Sequence, residues 1–385
     1  MLTIALVSAC TGQGGPSLSI AWREGPEYPL GIQESACGII DGLIVSAGGF
    51  TRHPKDIVEQ YPEAFGGAAS GFTSIAFSFD PTDEAAGWQR IPDIPGPPRQ
   101  GAATVVVDNA LYAVGGFNYD VPNSYRDTYR LTRENGDWTW SDLERATPWP
   151  VTEGSAVAIG ERIYLFAPAD FYQAEGDESA DFHADRGRGG DPVGQALLML
   201  NTGDLDAGWQ RLADCPGTAR FDAGVAAAGG KLYALGGIFA QAKTDGVHPY
   251  TNVVDSWVYD PPTDMWTQLP DMPDGANRRA LTYGDRYIVL VSGYKYPITR
   301  RLDGSYVDVL TDDEKALDWK QFFEKTVLVF DTESHALTSA DPLLERTSWP
   351  SAAIMGDTIY SLGGEGGRLW HPATFQIGTI TELTP

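Results

Sequence analysis

The chain has 385 residues, 42% of them hydrophobic and 21% charged, and a formal net charge of -25. That balance suits an ordinary folded protein and excludes a nucleic-acid partner, because phosphate binding needs a basic face. No apolar run approaches the roughly 18 residues that a membrane-spanning helix requires, and the 3 cysteines are too few for a disulfide framework.

At the start of the chain, the apolar run at residues 2–7 leads into Val7-Ser8-Ala9-Cys10-Thr11-Gly12, which resembles the cleavage box of a bacterial lipoprotein signal. On that reading residues 1–16 are a signal segment and linker, and Cys10 is the lipidated first residue of the mature chain. The protein would then belong to the periplasm or cell envelope and touch the membrane only through its anchor. No Lys or Arg precedes Cys10, and the run is short for a signal core, so a buried first strand is the competing reading.

Further along, one pattern recurs. Residues 43–50 read LIVSAGGF, 111–117 LYAVGGF, 232–238 LYALGGI and 359–365 IYSLGGE, with degenerate copies at 163–170 (IYLFAPAD) and 287–294 (YIVLVSGY). Each copy follows a small-residue strand and a tight turn: Asp41-Gly42, Asp108-Asn109, Gly160-Glu161, Gly229-Gly230, Gly284-Asp285 and Gly356-Asp357. After a loop comes a third strand, as at 76–80, 256–260 and 327–331, and then a fourth carrying Trp88, Trp138, Trp209 or Trp266. Four short strands repeated six times predict an all-β, six-bladed β-propeller over residues 17–385. The last unit ends after its third strand, and residues 18–29 with Trp22 read as the missing fourth, so an N-terminal strand completes the C-terminal blade and closes the ring. The doublet with the later aromatic resembles the kelch repeat.

In such a meander the connections alternate between the two faces of the disc. The second-to-third loops are the long ones, at about residues 50–73, 117–126, 168–195, 238–252 and 294–324, so the face they share is the expected site. Fourteen residues before Gly48, Ala167 and Gly236 stand Glu34, Glu153 and Asp222, and sixteen before Gly115 and Gly236 stand Arg99 and Arg220. Equal offsets mean equal places, near the start of the innermost strand, with Arg278, Arg279 and Arg346 near the same level. Such a ring would bind a small anionic ligand, since Arg grips carboxylate with two prongs; the competing reading pairs these charges across blades as a seal. His53, His183, His248 and His371 come from four different loops without ligand spacing, and residues 177–185 follow no calcium-loop spacing. The expectation therefore includes no metal and no cofactor.

Among kelch proteins the chain resembles the N-acetylneuraminate epimerase family, six-bladed bacterial mutarotases that act on sialic acid. The residues that carry the likeness are Pro98-Arg99-Gln100-Gly101-Ala102 with 111–116, Phe322-Phe323-Glu324-Lys325 running into 327–331, and Gly363-Gly364-Glu365. The position of that last motif in the C-terminal blade matches the circularly permuted branch. The resemblance implies that the glutamate after the doublet acts in the site, with an arginine six residues later; here these positions hold Glu365 and His371, and the nearest arginine is Arg368.

Anomer exchange needs an acid at the ring oxygen and a base at the anomeric hydroxyl. Glu365 would serve as base and His371 or a carboxylate as acid, with Arg368 beside them. Arg99, Arg220, Arg279 and Arg346, with Glu34, Glu153, Asp222 and Trp349, would bind the substrate. Trp349, Trp370, Phe117 and Tyr119 would stack on a sugar ring, with packing between blades as the other account of these aromatics. The expected partner is a small acidic sugar, with the oligomeric state left open. The alternatives are a glycoside hydrolase or lyase on acidic oligosaccharides, using Glu153 with Asp222 or a His–Tyr pair, and a non-catalytic carbohydrate-binding propeller. Copper-radical oxidation is disfavoured, because neither Cys37 nor Cys215 has a tyrosine-crosslinking context.

Overall fold

In the computed structural model, which describes residues 17–51, 71–118, 124–169, 194–240, 250–275, 277–296, 298–308, 322–366 and 371–383, each repeat folds into a four-stranded antiparallel sheet. Blade 1 is Ala36–Ile40, Leu43–Phe50, Phe72–Phe79 and Gln89–Ile91; blade 2 is Ala103–Val107, Ala110–Val114, Thr128–Glu134 and Asp137–Asp142. Blade 3 is Ser155–Ile159, Arg162–Ala169, Gly194–Asn201 and Gln210–Arg211; blade 4 is Gly224–Ala228, Lys231–Leu235, Ser256–Asp260 and Met265–Leu269. Blade 5 is Arg279–Tyr283, Tyr287–Val291, Val327–Asp331 and Leu337–Ala340. Blade 6 joins Ser351–Met355, Thr358–Leu362 and Phe375–Leu383 to the N-terminal Ser17–Glu24, whose Ser17 faces Leu383 and whose Glu24 faces Gln376. The expected six blades and the expected closing strand are both present.

Two forces hold the ring. Where second and third strands lie between neighbouring blades and are covered on both faces, they read as continuous apolar runs rather than alternating ones. All eight residues of Phe72–Phe79 and all five of Tyr287–Val291 are buried. The second force is a repeated hydrogen bond at the rim. An indole N–H on the fourth strand, or on the residue just before it, donates to a backbone carbonyl of the preceding blade: Trp22 to Asp341, Trp88 to Pro26, Trp140 to Pro92, Trp209 to Arg145 and Trp266 to Ala213. In blade 2 the bridging residue is Trp140, while Trp138 receives the Arg133 guanidinium on its ring. Blade 5 carries no tryptophan in Leu337–Ala340.

A further sheet departs from the sequence expectation of plain loops. Ile238–Ala240 and Tyr250–Val253 from the loop of blade 4 join Ile298–Arg300 and Tyr306–Asp308 from the loop of blade 5, with a parallel pairing at Asn252 and Thr299. The Asn252 amide fastens the seam by donating to Tyr296 O and accepting from Tyr296 N–H. Strands of three or four residues are too short to carry a readable alternation, which hid them in the sequence. Cys10, His53, Tyr119, residues 177–185, His183, His248, Arg368 and Trp370 lie outside the described residues. No described helix is long and apolar enough to cross a membrane.

Candidate functional site

The innermost strands of all six blades surround a central channel of about 400 Å³, lined by residues such as Cys37, Thr104, Ser155, Val225, Leu281 and Ala353. At its mouth, just before the innermost strand, stand Glu34, Gly101, Glu153, Asp222 and Trp349, all in the left-handed region with φ of 51°, 64°, 50°, 46° and 49°. Their backbones are linked in a chain around the opening. Glu34 N–H donates to Trp349 O at 3.3 Å, Gly101 N–H to Glu34 O at 3.4 Å, Glu153 N–H to Gly101 O at 3.0 Å and Asp222 N–H to Glu153 O at 3.1 Å. A left-handed conformation is costly for a residue with a Cβ, and it is retained here where it points side chains to a common place.

The result is a cluster of carboxylates. Glu34, Glu153 and Asp222 are only 4%, 7% and 5% exposed, and one carboxylate oxygen of each lies within 4.8 Å of the others. Among the described residues they form the group of acidic, His or Cys side chains able to hold a metal ion. Gln100 Nε2 donates to Glu34 Oε2 at 2.6 Å, and Trp349 Nε1 donates to Asp222 Oδ2 at 2.7 Å. Gly101 is the small member of the ring. A Cβ there would come 2.9 Å from the Phe117 ring and 3.4 Å from Glu153 Cγ, so only glycine leaves the carboxylates this room.

Above the mouth lies the position that follows each doublet: Phe50, Phe117, Ala169, Ile238, Tyr294 and Glu365. Glu365 is the charged member of that set. It is half-buried and pairs by backbone with Ser348, donating at 2.6 Å and accepting at 2.9 Å, which puts it beside Trp349. Burial, and then the charge of Glu365, push the Tyr294 phenol above its ordinary pKa. The rings of Tyr294 and Trp349 are 18° from parallel with centroids 6.5 Å apart. Asn277 Oδ1 accepts from Tyr294 N–H at 2.8 Å and from the Ser348 hydroxyl at 3.3 Å, fixing the two blades at this level. His371 stands edge-on to Phe50 at 5.3 Å, toward blade 1, whereas Glu365 bears on Tyr294 of blade 5.

The arginines require a correction. Arg99 is buried inside its blade, where its guanidinium forks onto both oxygens of Asp127, donates to Pro97 O and Gly115 O, and lies on the Tyr125 ring. Arg220 is buried likewise, on the Asp255 carboxylate, Thr218 O and Gly236 O. Arg278 repeats the motif on Ser292 O, Thr326 O and Asp274. These three brace the carbonyl of the first doublet position and do not present themselves to a ligand. Arg279 lines the channel and donates from Nε to Pro350 O, while Arg346 is exposed and donates to Phe323 O. Burial pushes the Cys37 thiol up to about 12, with Arg279 opposing. Gln100, Asn277 and Tyr294 were not singled out from the sequence, although Gln100 adjoins the ring position and Tyr294 follows a degenerate doublet.

The kelch motif model matches residues 98–139 and 219–273, which are blades 2 and 4 of this ring. The chain is a six-bladed propeller that carries kelch motifs. Its curated relatives include the N-acetylneuraminate epimerase of Yersinia enterocolitica, 28% identical over 186 residues, 43% of this chain and 46% of that protein. The N-acetylneuraminate epimerase of Yersinia pestis is 32% identical over 191 residues, 45% of this chain and 47% of that protein. The kelch-like protein terF of Aspergillus terreus is 29% identical over 276 residues, 61% of this chain and 55% of that protein. The chain thus spans about half the length of these curated relatives. The solved structure of YjhT shares its fold with a TM-score of 0.61 at 13% identity, over 94% of this chain and 99% of that one. The likeness to epimerases expected from the sequence is therefore present.

Proposed function

We propose that this kelch propeller is a mutarotase that interconverts the anomers of a small acidic sugar of the sialic-acid class at the channel mouth. The observation that carries this reading is the convergence of Glu34, Glu153 and Asp222 within 4.8 Å beside Trp349. Anomer exchange asks for a proton acceptor at the anomeric hydroxyl and a proton donor at the ring oxygen of one sugar. Carboxyl groups this close supply the acceptor and, once one of them carries a proton, the donor. Glu365, next to Trp349, is the second candidate base. The near-parallel rings of Trp349 and Tyr294 offer an apolar platform for the C–H face of a pyranose. Among the described residues, Arg279 on the channel wall is the guanidinium placed to meet the sugar carboxylate, since Arg99 and Arg220 are spent inside their blades. Similarity to two N-acetylneuraminate epimerases, each over about half its length, supports the substrate class.

The test is proton NMR of freshly dissolved N-acetylneuraminate and a panel of neutral reducing sugars with the purified protein, alongside Asp222→Asn and Glu365→Gln. Faster anomer exchange that falls at least tenfold in either variant is the expected result. Absence of acceleration with every sugar refutes the mutarotase. Release of sugar from an acidic oligosaccharide would assign the hydrolase or lyase instead, and saturable binding without turnover a carbohydrate-binding module.

A further inference from the structure

Blade 5 brings hydrogen-bond donors to the level at which blades 1, 3 and 4 bring carboxylates. Asn277 stands just before its innermost strand and is 3% exposed. The amide oxygen Oδ1 accepts from Tyr294 N–H at 2.8 Å and from the Ser348 hydroxyl at 3.3 Å. A backbone N–H can only donate, so the end of the amide that faces Tyr294 must be the oxygen, and the group cannot be turned over. Nδ2 is left at the other end, buried and without an acceptor among the described residues. A buried donor in that state costs free energy, and an oxygen brought by a ligand removes the cost.

Arg279 supplies the second set of free donors. It lines the channel wall, and Nε donates to Pro350 O at 3.0 Å. Among the described residues its guanidinium has no ion pair and no other hydrogen bond. Arg278, between the two, is turned into the blade onto Ser292 O, Thr326 O and Asp274. None of the three has a left-handed backbone, so successive side chains alternate and Asn277 falls on the same side as Arg279. Both reach blade 6, Asn277 at Ser348 and Arg279 at Pro350, the two neighbours of Trp349.

We propose that Asn277 Nδ2 and the Arg279 guanidinium form a receptor for a carboxylate beside Trp349, and that it selects acidic sugars over their neutral counterparts. The receptor is a binding site in its own right; its service to anomer exchange rests on the mutarotase reading. A guanidinium grips a carboxylate with parallel N–H groups and supplies the opposite charge. The amide adds a donor of fixed direction without adding charge. Asn277 also holds Tyr294 directly and Trp349 through the adjacent Ser348, so the receptor and the two near-parallel rings are positioned together.

The test titrates full-length protein with N-acetylneuraminate and with its uncharged methyl ester, followed by ligand-detected proton NMR. Wild type should bind the acid at least tenfold more tightly than the ester, because buried donors left without an acceptor penalise the neutral ligand. Asn277→Asp keeps the acceptor for Tyr294 and Ser348 and replaces the free donor by an oxygen. It should weaken the acid at least tenfold and change the ester by no more than about twofold, and Arg279→Gln should do the same. Equal affinity for acid and ester in wild type overturns the receptor. A loss in Asn277→Asp that falls on both ligands alike also overturns it and leaves Asn277 as a brace between blades. Should Asn277→Asp fail to fold, Asn277→Ser and Arg279→Gln answer the question through the same acid-to-ester ratio. Selective binding of the acid without faster anomer exchange keeps the receptor and removes the mutarotase; faster exchange without preference for the acid does the reverse. If neither ligand binds wild type, glucuronate and its methyl ester form the second pair, and failure to bind either acid overturns the proposal.

Discussion

The indole N–H of Trp349 donates to Oδ2 of Asp222 at 2.7 Å, joining residues 127 positions apart in the chain. Both stand at the same place in their repeats and both have left-handed backbones, so the bond ties blade 6 to blade 4 across the mouth. Trp349→Phe keeps the ring and removes the donor. A buried acceptor that loses its partner costs about 1–3 kcal/mol. Urea unfolding should show a loss in that range, and anomer exchange should slow more than stability alone explains; an unchanged urea midpoint would contradict the role given to this bond.

Arg220 and Asp255 are a buried ion pair with both side chains at 0% exposure. Removing one partner of such a pair typically costs about 3–5 kcal/mol, because the other charge is left in a medium that cannot solvate it. Arg220→Met should therefore unfold at much lower urea than wild type or fail to fold. Arg220→Met with Asp255→Leu should recover most of the loss, measured by circular dichroism, because a sealed brace matters for shape rather than for ligand. If the single variant folds normally but fails only in sugar binding, the correction made above for this arginine is wrong.

The rim bonds should have separable and similar values. Trp266→Phe deletes the 2.8 Å donation to Ala213 O and little else, since the ring still packs on Phe166 and Tyr259. A loss of about 1 kcal/mol is expected, and the same for Trp209→Phe, whose 3.2 Å bond to Arg145 O joins another pair of blades. The double variant should lose the sum, as the two interfaces share no residue. A double-variant loss well above the sum in urea titrations would mean that the ring opens as one unit.

Acid sensitivity has a local source in blade 5. The forked Arg286 guanidinium, the Ser334 hydroxyl and the Glu333 N–H hold the Asp331 carboxyl well below the usual carboxylate range. A carboxyl lowered on folding stabilises the protein above its unfolded value of about 4, and that contribution fades as the pH falls toward the folded value. Arg286 is 33% exposed, so solvent screening keeps the contribution to about 1 kcal/mol. Asp331→Asn should lower stability at pH 7 by that amount and flatten the decline between pH 5 and 2. Parallel acid-unfolding curves for variant and wild type would show that Asp331 is not the source.

Much of the architecture could be read directly. The doublets marked six second strands, and the orphan segment with Trp22 announced the closing strand, because a meander that lacks its last member can only be completed from the other end of the chain. The fourteen-residue offset also located Glu34, Glu153 and Asp222. The sixteen-residue offset misled. Residues two apart on a strand share a face only while the backbone stays extended, and Arg99 and Arg220 are separated from that state by the left-handed Gly101 and Asp222. The same turn that aims a carboxylate at the axis sends the arginine into the blade. In blade 5, Arg278 performs this bracing from fourteen residues before Ser292, so counting along the repeat slips by two there. The additional sheet stayed hidden for a different reason, since its pairings join two loops far apart in sequence.

The closing strand also decides which way the protein faces. Ser17 pairs with Leu383, at the end of the last strand that lies away from the mouth, so both ends of the described chain leave the disc from its back. A tether on the upstream side, whether a lipid at Cys10 or a tag added for immobilisation, would hold the disc with its back to the support and the channel opening outward. Attachment to a surface through that end therefore leaves the carboxylate mouth open to whatever diffuses past.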